Sequence, residues 1–493
     1  MSIKIIIMKG KNLFKIALLA LVPLFYSCDE ERLDERPVIG DIFDANDGMR
    51  NEEQMERFVI GSYSALGSAT NFGANIIIYG DVISDNIFVS TTNAGYFLTE
   101  NSLSWIGDSG FGQYSALYTV IQRANFVIND TNLEETENVK KLKGEAKIVR
   151  GLAYFYLAQL FSPNPTSGIN QEYGVPLKLE LYTDPMATAG RSTVAEVYTQ
   201  IVKDLEEGVV EMGSLDRGSK TYLSPTAGKF ILSKVLLTRG GSGDYERAAS
   251  LANEVLTSSP ANFSRIEADK LSDYFTQSDV RKSEEQNETI WEIEQTQVNN
   301  LGVNSHISAF YSNTGAHRSM LARQSFYDSF ETTDVRRALF NTAGTPASDN
   351  PKGVWLRKWP RNTTLDNVSS NYTMNVKVFR MTEALFVQME GLAKAGQRGQ
   401  AVTLLNEFAA SRGSSATYNE GNVLDGILLE KKKEFIGEGH RFFDLKRNNL
   451  PINKGTNCGG ARCDVEANDK IFVLPIPRTE RDLVPDITQY PGW

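Results

Sequence analysis

The chain has 493 residues, of which 41% are apolar and 23% charged. That composition excludes a disordered, collagen-like or coiled-coil polypeptide, and the length allows one large domain or a few smaller ones. With 51 basic against 61 acidic residues the net charge is −10, which excludes a surface broadly attractive to nucleic acid or anionic lipid.

Lys9 and Lys11 precede a short apolar run from Ile16 to Tyr26. A membrane helix needs about 20 apolar residues, so this run predicts an export signal instead. A start at Met8 would give the signal a more ordinary length; Met1 and Met8 both stay open. The run ends Leu24-Phe25-Tyr26-Ser27-Cys28. This resembles a lipoprotein signal spanning residues 1–27, with Cys28 as the acylated residue; the alternative is a secretory signal with an incidental cysteine. Two or three acyl chains would anchor the chain stably. Removal of Lys4, Lys9, Lys11 and Lys15 with the leader leaves 47 basic against 61 acidic residues, a net −14. Asp29-Glu30-Glu31 follows at once and is similar to the acidic export tag of Bacteroidetes surface lipoproteins, or is a solvated tether.

Residues 28–50 are polar and aperiodic, which predicts a tether and N-terminal arm. Residues 51–260 are mostly helical in pattern. Met55, Phe58, Val59, Tyr63 and Leu66 form a helical stripe over Glu52–Leu66, and Leu117, Val120, Ile121, Ala124 and Ile128 form another. Glu145–Phe161 is the strongest helix, with Ala146, Val149, Ala153, Tyr156, Leu157 and Leu160 as its buried face. Thr193 is placed to N-cap a helix to Met212, with Glu196 three residues on. Pro225–Arg239 and Asp244–Ser258 make a helix pair, and Thr382–Ala395 with Gly399–Arg412 another. Each pair is close to a tetratricopeptide unit. The pairs are not contiguous, so the expected fold is mostly α: an interrupted α-α superhelix of tetratricopeptide-like pairs with a loop-rich second region carrying short strands. That second region, 261–380, is rich in Asn, Ser, Thr and aromatics, with β-like runs at Thr289–Glu294 and Val376–Phe379. It opens the C-terminal part, 261–493, which continues with the pair at 381–412, one charged helix over Glu430–Arg447 and an extended closing tail.

Cys458 and Cys463 flank a Gly-rich turn. Outside the cytoplasm such a pair reads as a local disulfide, with free thiols or a metal as alternatives. Zinc would need four ligands, and His306, His317 and His440 lack metal-motif spacing. No cofactor is expected.

Glu145-Ala146-Lys147-Ile148-Val149-Arg150-Gly151-Leu152-Ala153-Tyr154-Phe155-Tyr156-Leu157 looks like the Ala- and aromatic-rich helix of a known family, and Ile121-Gln122-Arg123-Ala124-Asn125 like the helix end before it. The stretch Glu430–Arg447 carries the Glu-Gly-x-Arg-x-x-Asp-Leu core of the family's charged helix. Leu474-Pro475-Ile476-Pro477, with Glu480, Pro485, Gln489, Pro491 and Gly492, looks like its tail; Val484, Tyr490 and Trp493 depart from it. With these motifs in order behind Cys28, the chain resembles the SusD/RagB outer-membrane nutrient-binding lipoproteins of Bacteroidetes. The resemblance implies a lipid-anchored protein of the cell outer membrane, facing the exterior. It would capture a nutrient, often an oligosaccharide, and deliver it to a TonB-dependent SusC-like transporter without catalysis.

Sugar capture needs flat aromatic faces and nearby groups that bond hydroxyls. One candidate region, Tyr79–Phe111, offers Asp81, Asp85, Asn86, Asn93, Tyr96, Asn101 and Trp105. A second, Trp291–Arg318, offers Trp291, His306, Tyr311, Asn313 and Arg318. Trp355 and Trp359 are a third choice. For each aromatic the competing expectation is core packing. Glu430, Glu434 and Glu438, spaced i, i+4, share one helix face, with Arg441 and Asp444 extending an ion-pair ladder. Such pairing lowers carboxylate pKa values and suits a structural clamp better than a glycosidase acid. His440 could serve as a base, but is expected on the solvent face of the helix. The alternatives to oligosaccharide capture are a peptide-binding member of the same family, a secreted glycan hydrolase, and a repeat scaffold without a small ligand.

Overall fold

The computed structural model describes residues 48–181, 189–215, 217–258, 262–276, 286–342, 351–362, 371–455, 458, 462–484 and 486–493. The export signal, Cys28 and the acidic residues after it lie outside the described residues.

Eleven helices carry the architecture: α1 (Glu52–Leu66), α2 (Asn75–Val82), α3 (Gln113–Ile128), α4 (Glu137–Phe161), α5 (Val194–Met212), α6 (Pro225–Arg239), α7 (Asp244–Thr257), α8 (Met381–Lys394), α9 (Arg398–Ser411), α10 (Val423–Glu434) and α11 (Arg441–Arg447). Their starts are encoded locally. The Asn51 side chain accepts from the Gln54 N–H and caps α1. Thr193 and Glu196 form a reciprocal capping box on α5, and Ser224 caps α6 ahead of Pro225.

Each helix packs on the next: α1 on α3, then α4, α5, α6, α7, α8, α9 and α10 in succession. The array is interrupted in sequence between Thr257 and Met381 but continuous in space, because α7 packs directly on α8. The close approach of α4 and α5 depends on Gly144 and Gly208. A Cβ on Gly208 would lie 2.7 Å from the Gly144 carbonyl oxygen. α4 was expected to bury one stripe, yet every residue from Ile148 to Phe161 is buried. The physical reason is that α3 and α5 flank it while the C-terminal tail lies against its end, the Leu474 N–H donating to Leu160 O. Arg150, buried among these helices, is held by a bidentate pair with Asp204 at 2.7 and 2.9 Å.

The second region supplies short antiparallel strands. β1 (Ile87–Val89), β3 (Met320–Arg323), β5 (Gly353–Leu356) and β4 (Phe340–Asn341) form a four-stranded sheet in that order. β2 (Thr289–Ile293) pairs with β6 (Val376–Arg380), and β7 (Ile452–Asn453) with β8 (Asp464–Val465). Cys458 and Cys463 are bonded and close the β7–β8 hairpin.

The charged stretch Glu430–Arg447 is two helices, not one. Gly437 (φ +80°) and Gly439 (φ +78°) break it between α10 and α11. The ladder expected from Glu438 through Arg441 to Asp444 is therefore absent, and Glu434, Glu438 and Arg441 take partners from distant segments. The Arg380 guanidinium meets Glu438 at 2.7 Å, Glu288 at 2.9 Å and Glu434 at 3.1 Å. Arg412 also pairs with Glu434, and Lys358 with Glu438. Arg441 reaches Asp85, and Asp444 takes Lys431 and Arg447. His440 does not face solvent: its Nδ1 lies 3.2 Å from Glu383 Oε1 and its ring packs on Phe435. Despite burial, the cationic partners hold the Glu434 and Glu438 carboxyls below the usual range.

The 437–440 turn locks onto α2. A Cβ on Gly80 would overlap the Gly439 carbonyl oxygen, and a Cβ on Gly439 would lie 2.6 Å from Ile77 Cα. Beside this contact Asp81 Oδ2 accepts from the Gly439 N–H and the Tyr311 hydroxyl, each at 3.0 Å. Burial pushes the Asp81 carboxyl up to about 7.

Three outcomes are expected. Gly80→Ala forces two backbones apart and costs about 2–3 kcal/mol in denaturant unfolding. Arg380→Met removes one partner from each of three buried carboxylates and costs roughly 3–5 kcal/mol, read the same way. The folded protein keeps a proton on Asp81 that the unfolded chain releases near pH 3.8, so this group's contribution to stability falls as pH rises from there to about 7. Thermal midpoints across pH 4–8 should show that slope reduced in Asp81→Asn; an unchanged slope refutes the assignment.

Candidate functional site

β1 and β3 run antiparallel with Ile87 opposite Ala322 and Val89 opposite Met320. The ladder extends by one bond, the Ser90 N–H donating to Ser319 O at 2.7 Å. The chain leaving β1 (90–98) and the chain entering β3 (312–319) therefore lie side by side at one end of the sheet. Each loop is shaped by its own polar residues. The Asn93 amide donates to Ser90 O, and its Oδ1 accepts from the Gly95 N–H. In the second loop the Gly315 N–H donates to Ser312 O, and the His317 and Arg318 N–H groups both donate to Ala309 O.

Backbone strain gathers here. Among the described residues the non-glycine positions with positive φ are three asparagines, which tolerate it, and Phe97 (+59°), Leu103 (+54°) and Arg318 (+30°). Phe97 and Leu103 bracket the short helix Leu98–Ser102, and Arg318 ends the second loop. Strain of this kind persists only where the surroundings enforce it.

The enforcing element is a run of aromatic rings from core to surface. Tyr79 on α2 meets Phe97 edge-on at 6.1 Å, Phe97 meets Phe310 at 5.1 Å, and Phe310 stacks on His317 at 5.0 Å. Tyr96 closes the run, 5.4 Å from Phe310 and 4.3 Å from His317. Phe310 is buried, whereas Tyr96 is 38% exposed. Burial lowers the His317 pKa, and its Nε2 has no hydrogen-bond partner among the described residues. Asn313, Thr314 and Arg318 are exposed on the same loop, and Arg361 donates to Thr314 Oγ1 at 3.1 Å. The result is a partly open aromatic face beside groups able to bond hydroxyls.

The loop is also tied from behind. Lys454, at the foot of the disulfide-closed hairpin, donates to Val82 O and Asn101 O, both at 2.7 Å. Asn101 Oδ1 in turn accepts from the Val89 N–H. One buried ammonium thus joins the end of α2 to the short helix beyond Tyr96. Burial without a paired anion pulls its pKa to about 7.

Of the residues expected to touch a ligand, Tyr96, Asn313 and Arg318 are exposed at this place and Asn93 is half-buried. The remaining ones carry structure. Asp81 is buried against Tyr311 and Gly439, and Tyr311 is itself fully buried. Asp85 is held by Arg441 and Lys432, which set its pKa down to about 2 against the cost of burial. Asn86 is 2% exposed. Trp105 is buried between Phe111 and Trp493. Trp291 is fully buried against Phe72 and Phe379 and donates to Thr221 O. His306 caps a short helix through Nδ1 while Nε2 meets Met374 O, and burial lowers its pKa to about 4. Trp355 and Trp359 are buried too, Trp359 donating to Gly437 O. Phe97, His317 and Arg361 are not among the expected ligand contacts; the β1–β3 pairing brings the first two together, and Arg361, after β5, joins them through Thr314. Among the described residues no group of His, Cys, Asp and Glu is arranged to hold a metal.

Comparison with known proteins agrees with this architecture. Residues 33–236 match a SusD-like family model described as starch-binding and associating with outer membrane, and residues 238–493 match the model of the SusD family. A SusD-like protein of Bacteroides ovatus is 28% identical over 267 residues, a match spanning 52% of this chain and 45% of that protein. A SusD superfamily protein of Bacteroides thetaiotaomicron superposes with a TM-score of 0.77 at 23% identity, covering 90% of this chain and 100% of the other. A SusD-like carbohydrate binding protein of Bacteroides vulgatus gives 0.74 at 21% identity (89% and 98% covered). Surface glycan-binding protein A of Bacteroides uniformis gives 0.70 at 22% (89% and 99%). With both halves matched in order and the helical array shared, the chain belongs to the SusD family.

Proposed function

We propose that this protein is an outer-membrane surface lipoprotein that binds an oligosaccharide at Tyr96 and delivers it to a TonB-dependent SusC-like transporter. The observation that carries the proposal is the Tyr96 ring, partly open to solvent yet fixed by Phe310 and His317 between two strained loops. A pre-placed ring can stack on the C–H face of a pyranose with little ordering cost. Asn313, Thr314 and Arg318 are exposed on the loop whose His317 ring packs on Tyr96 and are able to bond hydroxyls. Two solved relatives of the same fold carry carbohydrate- or glycan-binding names, in line with this reading. Acylated Cys28 would hold the protein at the membrane. A non-catalytic role fits the carboxylates of the charged stretch, whose negative form is stabilised by Arg380 and Arg412 so that they are poor proton donors.

Calorimetry on the chain beginning after Cys28, with a ligand taken from a glycan array, tests the site. Tyr96→Ala should weaken binding by about fivefold to tenfold at an unchanged thermal midpoint. Undiminished affinity would remove Tyr96 from the site. Cys28→Ala in the native cell should release the protein from the membrane fraction, which tests the anchor separately.

A further inference from the structure

We infer that the Tyr96 site selects anionic oligosaccharides, those bearing a uronate carboxylate or a sulfate. This deepens the proposed function and rests on it.

The contrast within the molecule is one of charge. The chain is acidic, with a net −10, and its buried guanidiniums are matched by carboxylates: Arg380 with Glu438, Arg336 with Asp334, Arg412 with Glu434 and Arg447 with Asp444. At the site the rule reverses. The loops 90–98 and 312–319 contain no Asp or Glu. Arg318 and Arg361 make no ion pair with a carboxylate among the described residues. Arg361 is held toward the second loop by Thr314, and Arg318 follows His317, the residue whose ring lies against Tyr96. Arg318 adopts φ +30°, a strained geometry for a long side chain.

Two cations on or against the loop that carries His317, neither ion-paired among the described residues, raise the positive potential beside the aromatic face of a chain whose net charge is negative. Guanidinium presents a planar fork that matches carboxylate or sulfate oxygens in pairs. A neutral sugar can also accept hydrogen bonds from arginine, but it gains no charge–charge attraction. An anionic sugar would stack its ring on Tyr96 and direct its charged substituent to the guanidiniums. The field of the whole chain would meanwhile repel acidic ligands elsewhere.

The test is an array of matched pairs probed with the chain beginning after Cys28. Uronate-bearing oligosaccharides are printed beside their carboxyl-reduced counterparts, and sulfated ones beside their desulfated counterparts. Hits are then measured by calorimetry at low and high salt. The expected result is binding confined to charged members, about tenfold or more tighter than to the neutral partner, and weakened by salt. Arg318→Gln with Arg361→Gln should abolish that preference at an unchanged thermal midpoint, and Arg318→Lys should restore part of it. The uronate and sulfate arms identify which anion is read. Tyr96-dependent binding of neutral and charged members alike would overturn this inference and leave the proposed function standing. Binding indifferent to Tyr96→Ala, or none across the array, would overturn both.

Discussion

Everything in this molecule hangs on the side chain of Arg380. It stands where β6 becomes α8, at the seam between the loop-rich region and the helical array. Its guanidinium is buried and must be neutralised, and the three carboxylates that do so come from the segment before β2, from α10 and from the turn after α10. A buried ion cluster of this kind adds little net stability over an apolar core, but breaking one member is costly. Its effect is to fix register: the three segments are right together or wrong together.

From that seam the constraint passes outward by close contact. Glu438 places the turn, the turn carries Gly439, and Gly439 admits α2 with almost no space between backbones. Asp81 and Asp85 then bind α2 and the residues after it to Tyr311 and Arg441. Tyr79 starts the run of rings that ends at Tyr96. The charged stretch resembles a catalytic cluster in sequence, yet it acts as foundation for a surface some distance away.

How much of this could be read from the residues alone follows from how local each signal is. The helices declare themselves, because stripes such as Met55–Leu66 and caps such as Thr193–Glu196 involve neighbours in sequence. The break in Glu430–Arg447 was visible as Gly437-x-Gly439, but periodicity across it looked unbroken, and the true partners of Glu434 and Glu438 lie far away in the chain. Aromatic and polar residues in a loop-like context do not reveal burial: Trp105 and Trp291 looked suited to a sugar and are packed inside, while Tyr96 looked no better and is partly open. What separates them is β1, a strand of three residues whose partner lies more than 200 positions on. No local pattern specifies that pairing, so His317 could not be placed beside Tyr96 in advance.

The Lys454 tether has a consequence for the order in which the protein is made. Its partners Val82 and Asn101 are 372 and 353 residues earlier, and Arg441 reaches back 356 residues to Asp85. Early in synthesis the helical repeats can begin to stack as they emerge, but the segment bearing Tyr96 must wait for Phe310, His317 and β3, and its rear tether waits longer still, for Lys454. Contacts of such high sequence separation form slowly. The Tyr96 face is therefore completed after the first helices, and a chain ending before Lys454 would retain most of its helices and lose that tether.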